Sequence, residues 1–369
     1  MKIGIVTFHN SSNYGAVLQS FALQRALQKQ TGDVVIVDYD NKFISKGLKR
    51  IRLGLSLHYL YYAMQDVRNF KKNSIKIAKF KRFFKNRYLL TERMSKRRIL
   101  KKGYPLDLLI SGSDQIWNPR LLKGFDRVYF GVFPGVGARI SYASSFGNYA
   151  FDDELYNKEL KEYLSGYAKI SLREKSGLLT QVVGKEASEV LDPTLLLDAN
   201  EWREYLELDR ARGKQSGYLL VYALNDFDHV ISVAERIAEE RGLAIYFIGN
   251  HKIRNKNVRV FCELGPEEFV AFFDGADYVV TNSFHGTAFS VIFQKQFVSV
   301  LNKKSPERAK TFLGKIGLLS RLVDGGMPED LSEREFALTE QRIDDLRKQS
   351  MEYLASGVAA AENTTGTVD

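Results

Sequence analysis

The chain has 369 residues, 44% hydrophobic and 12% aromatic, enough for two packed cores and too apolar for a disordered protein. Its one cysteine, Cys262, excludes an internal disulfide and a cysteine-cluster metal site, and reads as a small core residue. The net charge of +10 is uneven: residues 42–102 carry 20 lysines and arginines against Asp66 and Glu92, while the remainder carries 34 cations and 42 acids. A basic surface is therefore local to one segment.

The first residues, Met1-Lys2-Ile3-Gly4-Ile5-Val6, enter a strand without the regions of a signal peptide. No apolar run approaches the roughly 20 residues of a bilayer span, so a cytoplasmic location is expected. Strands are predicted at Ile3–Thr7 and Val34–Asp38, separated by an amphipathic helix over Tyr14–Gln30, a βαβ opening. In the basic segment 42–102, aromatic and aliphatic residues such as Leu57, Tyr61, Phe70, Phe80, Phe83 and Tyr88 alternate with cations, which predicts amphipathic helices with a cationic face. Strands follow at Leu106–Ser111, Arg139–Ser144 and Lys169–Arg173, with a helix over Asp153–Ser165. Asp192-Pro193-Thr194 and the polar stretch Glu207–Ser216 mark a link to a second unit.

That unit begins again with strand Tyr218–Tyr222, helix His229–Arg241, strand Ala244–Gly249 and an edge strand Val258–Phe261. Helix Pro266–Phe273, strand Tyr278–Thr281, helix His285–Phe293 and strand Phe297–Leu301 complete a second sheet. A helix over Glu340–Leu354 and a frayed tail from Val358 end the chain. The fold class expected is α/β, with two Rossmann-like doubly wound domains facing a cleft. The domains are residues 1–205, with insertion 42–102, and 206–357, whose final helix is free to pack back; 358–369 is a disordered tail. No Gly-x-Gly-x-x-Gly follows either opening strand, so no nicotinamide or flavin cofactor is expected.

Chemistry concentrates where predicted strands run into polar turns. Tyr278–Thr281 leads through Asn282 into Ser283-Phe284-His285-Gly286, which places an imidazole at a helix N-terminus, where N–H groups attract anions. His285 is the candidate general acid, and Ser283 a helix cap. Thr7-Phe8-His9-Asn10-Ser11-Ser12-Asn13 offers hydrogen-bonding groups suited to sugar hydroxyls, or an extended cap made by Ser12 or Asn13. Ser111-Gly112-Ser113-Asp114-Gln115-Ile116-Trp117-Asn118 combines a carboxylate, an amide and an indole: hydroxyls for Asp114 and Gln115 and a sugar face for Trp117, or else a capped turn above a core tryptophan. Ser141–Gly147 is a similar, less specific turn. Arg173, in Ser171-Leu172-Arg173-Glu174-Lys175-Ser176, can grip a carboxylate or phosphate, or pair with Glu174 or another acid. Lys303 and Lys304 follow the strand expected beside His285.

The blocks Asn13–Gln19, Ser111–Asn118, Ser171–Ser176, Leu191–Thr194 and Ser283–Gly286, in this order over roughly residues 1–305, resemble the polysaccharide pyruvyl transferase family. The resemblance implies a GT-B-like fold and transfer of a pyruvyl group from phosphoenolpyruvate, a co-substrate rather than a cofactor, onto two hydroxyls of a sugar. It implies that His285 is catalytic and that Arg173 and a basic residue, Lys303 or Lys304, hold the donor. Many relatives carry Arg-Leu-His where this chain has Ser283-Phe284-His285, so a donor-binding cation is missing at Ser283.

On this reading His9, Asn10, Asn13, Asp114, Gln115 and Trp117 face the acceptor, with Asp114 or His9 as base on the sugar. Ser283, Arg173, Lys303 and Lys304 face the donor, in a pocket shared by His285 and Arg173, and no metal is needed. The acceptor is a capsular, exopolysaccharide or cell-wall glycan or its polyprenyl-linked precursor. Residues 42–102 dock on the anionic inner face of the cell membrane, and no nucleic acid is bound. The rivals are a nucleotide-sugar glycosyltransferase and a non-enzymatic basic binding module.

Overall fold

The computed structural model describes residues 1–49, 67, 69–173, 177–208, 217–251, 253, 255–304, 306–324 and 337–365. Contacts divide it into two compact units. The first holds residues 1–49, 84–196 and 346–369, and the second holds 197–345 with the described part of 50–83. The division after Leu196 falls nine residues before the boundary read from the sequence, because Pro193–Leu196 form a buried 3-10 turn against the first helix.

In the first unit, β1 (Ile3–Val6), β2 (Val34–Ile36), β3 (Leu106–Ser111) and β4 (Val136–Ser141) form a parallel sheet in the order 2-1-3-4. β5 (Ser171–Leu172) and β6 (Ser188–Glu189) continue it through the bridges Ile140 to Lys169 and Ser144 to Leu172. The strand order reverses between β1 and β3, the switch point at which open α/β sheets bind ligands. Helix Tyr14–Gln28 is buried on every side except at Arg25 and Gln28, so its polar residues need partners inside. Gln24 donates to the carbonyls of Val34 (3.0 Å) and Leu89 (2.9 Å), and Ser20 donates to that of Val17 (2.8 Å).

In the second unit, β7 (Tyr218–Tyr222), β8 (Ala244–Ile248), β9 (Val258–Phe261), β10 (Tyr278–Thr281), β11 (Gln296–Val300) and β12 (Leu322–Val323) form a parallel sheet in the order 12-11-10-7-8-9. β9 takes the edge, as its sequence requires, and the switch point lies between β7 and β10. Leu219, Val221, Tyr278, Val280 and Val298 build the core under helix Phe227–Arg241.

One expectation changes. The terminal helix runs over Ala337–Thr365, so residues 358–365 are helical rather than frayed; the alanine-rich end favours helix, and Tyr353 on the same helix donates to the Ser141 carbonyl at 3.0 Å. From Leu346 onward this helix belongs to the first unit. In the basic segment, helix Phe70–Arg87 buries Ile77, Phe80 and Phe83, and helix Lys96–Lys102 buries Ile99. Leu57–Met64, Glu174–Ser176 and residues 209–216 of the link lie outside the described residues. No helix among the described residues is long and apolar enough to cross a membrane.

Candidate functional site

Each unit presents a polar rim at the C-terminal ends of its central strands. In the first, the turns after β1 and β3 are bound together by Gln19 on the opening helix. Its amide donates to the Thr7 hydroxyl at 2.9 Å and accepts from the Ser113 N–H at 3.2 Å, while Thr7 donates to the Ser113 carbonyl at 2.8 Å. Asn13 caps the same helix, accepting from the Ala16 N–H at 3.3 Å. Asn10 stands on this rim with its Nδ2 buried and without a hydrogen-bond partner among the described residues, a group that calls for a ligand or an ordered water.

Asp114 follows with φ +77, a backbone region that non-glycine residues rarely occupy. It stays half-exposed, and its Oδ1 accepts from the Gln115 N–H at 2.8 Å. Gln115 accepts from Asn118 Nδ2 at 2.9 Å. Gly147, at φ +63, lies over this pair: a Cβ there would sit 2.4 Å from Asn118 Nδ2 and 2.5 Å from Gln115 Oε1. Its hydrogen allows the turns after β3 and β4 to close on each other.

Three assignments on the first rim are corrected. Trp117 is 0% exposed, stacked on Phe130 at 5.2 Å, and donates to the Tyr129 carbonyl at 3.2 Å, so it is a core residue with no face for a sugar. His9 is 2% exposed, with Nε2 3.2 Å from Asp38 Oδ1 and Nδ1 3.3 Å from the Thr7 carbonyl. Both ring nitrogens are engaged inside the fold, so it serves neither as an acceptor contact nor as a base.

Arg173 does not present an open guanidinium. Its side chain is 3% exposed, with Nη1 2.8 Å from Asp192 Oδ2 and Nη2 3.6 Å from Asp114 Oδ1. Asp192 is fixed in turn by the Thr194 N–H at 3.0 Å and its hydroxyl at 2.8 Å. Arg173 thereby joins the Leu191–Thr194 block to the Ser111–Asn118 block. Burial and the Asp126 carboxylate hold the Tyr129 phenol well above its usual range, and burial does the same for Tyr142, so both remain neutral beneath this rim.

In the second unit, β10 ends at Thr281, whose hydroxyl donates to the Tyr222 carbonyl at 2.6 Å and accepts from the Ser283 N–H at 3.1 Å. Ser283 then caps helix Phe284–Ile292 by accepting from the Gly286 N–H at 3.4 Å. It is 2% exposed, which corrects its reading as a donor contact. A Cβ on Gly286 would lie 2.2 Å from Thr281 Oγ1, so glycine lets this helix start directly against the strand end.

His285 is the second residue of that helix, half-buried, with Nε2 buried and its ring edge-on to Phe284 at 5.4 Å. The sequence reading missed two features around it. Asn225, Asn282 and Asn302 tie the ends of β7, β10 and β11: Asn282 donates to the Asn225 carbonyl at 2.6 Å, and Asn302 donates to the Asn282 carbonyl at 3.1 Å. Asparagine directly after each apolar run was the available signal. Arg308, on helix Pro306–Lys315, holds its guanidinium 4.9 Å above the Phe284 ring, beside the helix start where the sequence lacks a cation.

Lys303 and Lys304 are both exposed. Lys303 lines a cavity of about 280 Å³ with Asp226, His229, Val300, Leu301 and Asp324, so it faces carboxylates as well as open space. Among the described residues no three His, Cys, Asp or Glu gather as a metal-holding group. Cys262 is half-buried, with Sγ 3.3 Å from Glu263 Oε2; burial and that carboxylate raise its pKa, which removes nucleophilic character. Arg173 belongs to the first unit and His285 to the second.

Comparison with solved structures gives likenesses at low identity. A putative UDP-N-acetylglucosamine 2-epimerase from Listeria monocytogenes is 10% identical, with 98% of this chain and 97% of that one covered and a TM-score of 0.51. UDP-N-acetylglucosamine 2-epimerase from Rickettsia bellii is 9% identical, covering 99% and 98%, at 0.49. The E. coli heptosyltransferase WaaC with ADP is 11% identical, covering 95% and 100%, at 0.40. The first of these shows the fold alone, a GT-B-like chain of two Rossmann-like α/β units. No curated protein matches the sequence. The sequence profile of the polysaccharide pyruvyl transferases matches residues 13–304, from the cap of the opening helix to the lysines after β11. That span covers most of the chain, and the chain belongs to the polysaccharide pyruvyl transferase family.

Proposed function

We propose that the protein transfers a pyruvyl group from phosphoenolpyruvate to two hydroxyls of a sugar, forming a cyclic ketal on a glycan or its lipid-linked precursor. The family profile carries this reading, together with a half-buried imidazole at the helix start after the central strand β10. The donor is assigned to the second unit's rim. Its carboxylate and phosphate call for fixed positive charge and helix N–H groups, which Arg308, Lys303 or Lys304 and helix Phe284–Ile292 supply. Arg308 compensates for the cation absent at Ser283. The acceptor is assigned to the first unit's rim, with Asn10, Asn13, Asp114 and Gln115 bonding its hydroxyls. Arg173 is a positioning residue that fixes the Asp114 turn.

In the proposed reaction His285 gives a proton to the methylene carbon of phosphoenolpyruvate, and the central carbon becomes an oxocarbenium-like electrophile. One sugar hydroxyl adds to that carbon and loses its proton to Asp114. The bond to the phosphate oxygen breaks and inorganic phosphate leaves with the proton taken up by Asp114, while the second hydroxyl closes the ring and returns its proton to His285. Positioned proton transfer of this kind is worth roughly 10²–10⁴ in rate.

Docking on an anionic membrane fits helix Phe70–Arg87. Lys71, Lys72, Lys81, Arg82 and Lys85 are exposed along it beside the exposed apolar Val67, Phe70 and Ile75. The deciding experiment supplies purified protein with phosphoenolpyruvate and candidate glycans, measuring phosphate release and a ketal product by mass spectrometry. Release of a nucleoside diphosphate from a nucleotide sugar, with phosphoenolpyruvate untouched, would replace this reading with glycosyl transfer.

A further inference from the structure

A groove of about 510 Å³ opens in the first unit at the opposite end of its strands from the rim. Gly131, Val132, Phe133 and Pro134 precede β4, and Val136 and Gly137 begin it. At about 3.3 Å per residue, the six residues of β4 separate this end from the rim by roughly 17–20 Å. The groove is a separate feature from the switch-point site.

Two arginines and an apolar wall line it. Arg139 is half-buried, Arg127 is exposed, and neither has a carboxylate within 4.0 Å among the described residues. Arg139 lies 5.4 Å over the Tyr167 ring, and Nη1 makes one long bond, 3.4 Å, to the Phe130 carbonyl. Its guanidinium thus keeps most of its donors for another acceptor. Helix Lys96–Lys102 places Leu100 in the groove wall. The acids of this region are largely committed: Asp126 to Lys96 at 3.2 Å, Glu92 to Arg98 at 2.7 Å, and Glu159 to the Tyr163 hydroxyl. The two arginines bring positive charge to the groove, and Leu100, Val132, Phe133, Pro134 and Val136 supply an apolar surface beside them.

We infer that this groove binds a phosphate or diphosphate ester carried on an apolar group, with Arg139 and Arg127 on the anion and the Phe133 side under the carrier. A guanidinium meets two phosphate oxygens through parallel N–H bonds. The inference does not rest on the proposed pyruvyl transfer.

The test is a calorimetric titration of the full chain with inorganic pyrophosphate and with farnesyl diphosphate. Pyrophosphate reports the anion alone, and farnesyl diphosphate adds the apolar carrier. Saturable binding is expected for both, with farnesyl diphosphate tighter by about tenfold or more. Arg139→Gln should weaken binding roughly ten- to a hundredfold. Gly166→Ala gives an independent check: a Cβ there would meet Arg139 Nη2 at 1.9 Å, so the guanidinium swings away while the backbone, at φ −86°, accepts alanine. It should weaken both probes several-fold with an unchanged melting temperature. No saturable binding, equal affinity for the two probes, or unchanged affinity in Arg139→Gln and Gly166→Ala would each overturn the assignment.

Discussion

Arg173 Nη1 lies 2.8 Å from Asp192 Oδ2, with both side chains almost wholly removed from solvent. Nineteen residues of sequence separate the pair, and it locks the Leu191–Thr194 turn against the end of β5. Removing one partner of such a pair leaves an uncompensated buried charge, which costs about 3–5 kcal/mol. Asp192→Ala should therefore lower stability by that order in urea unfolding. A loss within experimental error would show that the pair contributes nothing to the fold.

His285→Ala should reduce turnover by roughly 10²–10⁴ if the imidazole transfers the proton. The melting temperature should barely move, because Ser283 rather than His285 caps the helix. Phosphate release from phosphoenolpyruvate is the readout, and near-normal turnover would remove His285 from the chemistry.

Arg308→Ala should raise KM for phosphoenolpyruvate roughly tenfold or more, the loss expected for one charge-assisted contact. Lys303→Ala and Lys304→Ala, measured alongside, separate the two lysines. An unchanged KM for Arg308→Ala would leave the missing cation at Ser283 without its substitute.

Replacing Lys71, Lys72, Lys81 and Lys85 with glutamine should weaken sedimentation with anionic vesicles. At about 1 kcal/mol for each cation near the surface, the combined effect approaches a thousandfold at low salt. Equal sedimentation of the two proteins would refute docking through this helix.

Burial lowers the pKa of Lys76 to about 8, against a small opposing effect from Cys262. The unfolded chain holds this proton up to about pH 10.5, so between about pH 8 and 10.5 the unfolded state binds more protons and this residue makes stability rise with pH. Below about pH 8 its charge is carried at a cost. Lys76→Met should raise the unfolding midpoint at pH 7 and flatten the rise between pH 8 and 10, read from denaturant curves at each pH.

Much of the fold was legible because its signals are local. Strands Leu106–Ser111, Tyr218–Tyr222, Val258–Phe261 and Tyr278–Thr281 matched their apolar runs. Asn13, Asp153 and Ser283 cap the helices they precede. The two-residue strands β6 and β12 were missed, since two residues show no periodicity.

Alone, the sequence determined the two βαβ series, the family and the position of His285 at a helix start after a buried strand, because hydrophobic period, capping and turn chemistry act within a few residues. Tertiary structure alone decided which side chains the rims leave open and which they bury. It buried Trp117 against Phe130, engaged both nitrogens of His9, gave Arg173 to Asp192, set Arg308 over Phe284 and left Asn10 Nδ2 without a partner among the described residues. The reason is that burial and ion pairing depend on which distant segments pack together, and the same tryptophan or arginine codes equally for a ligand contact or a core contact until its neighbours are known.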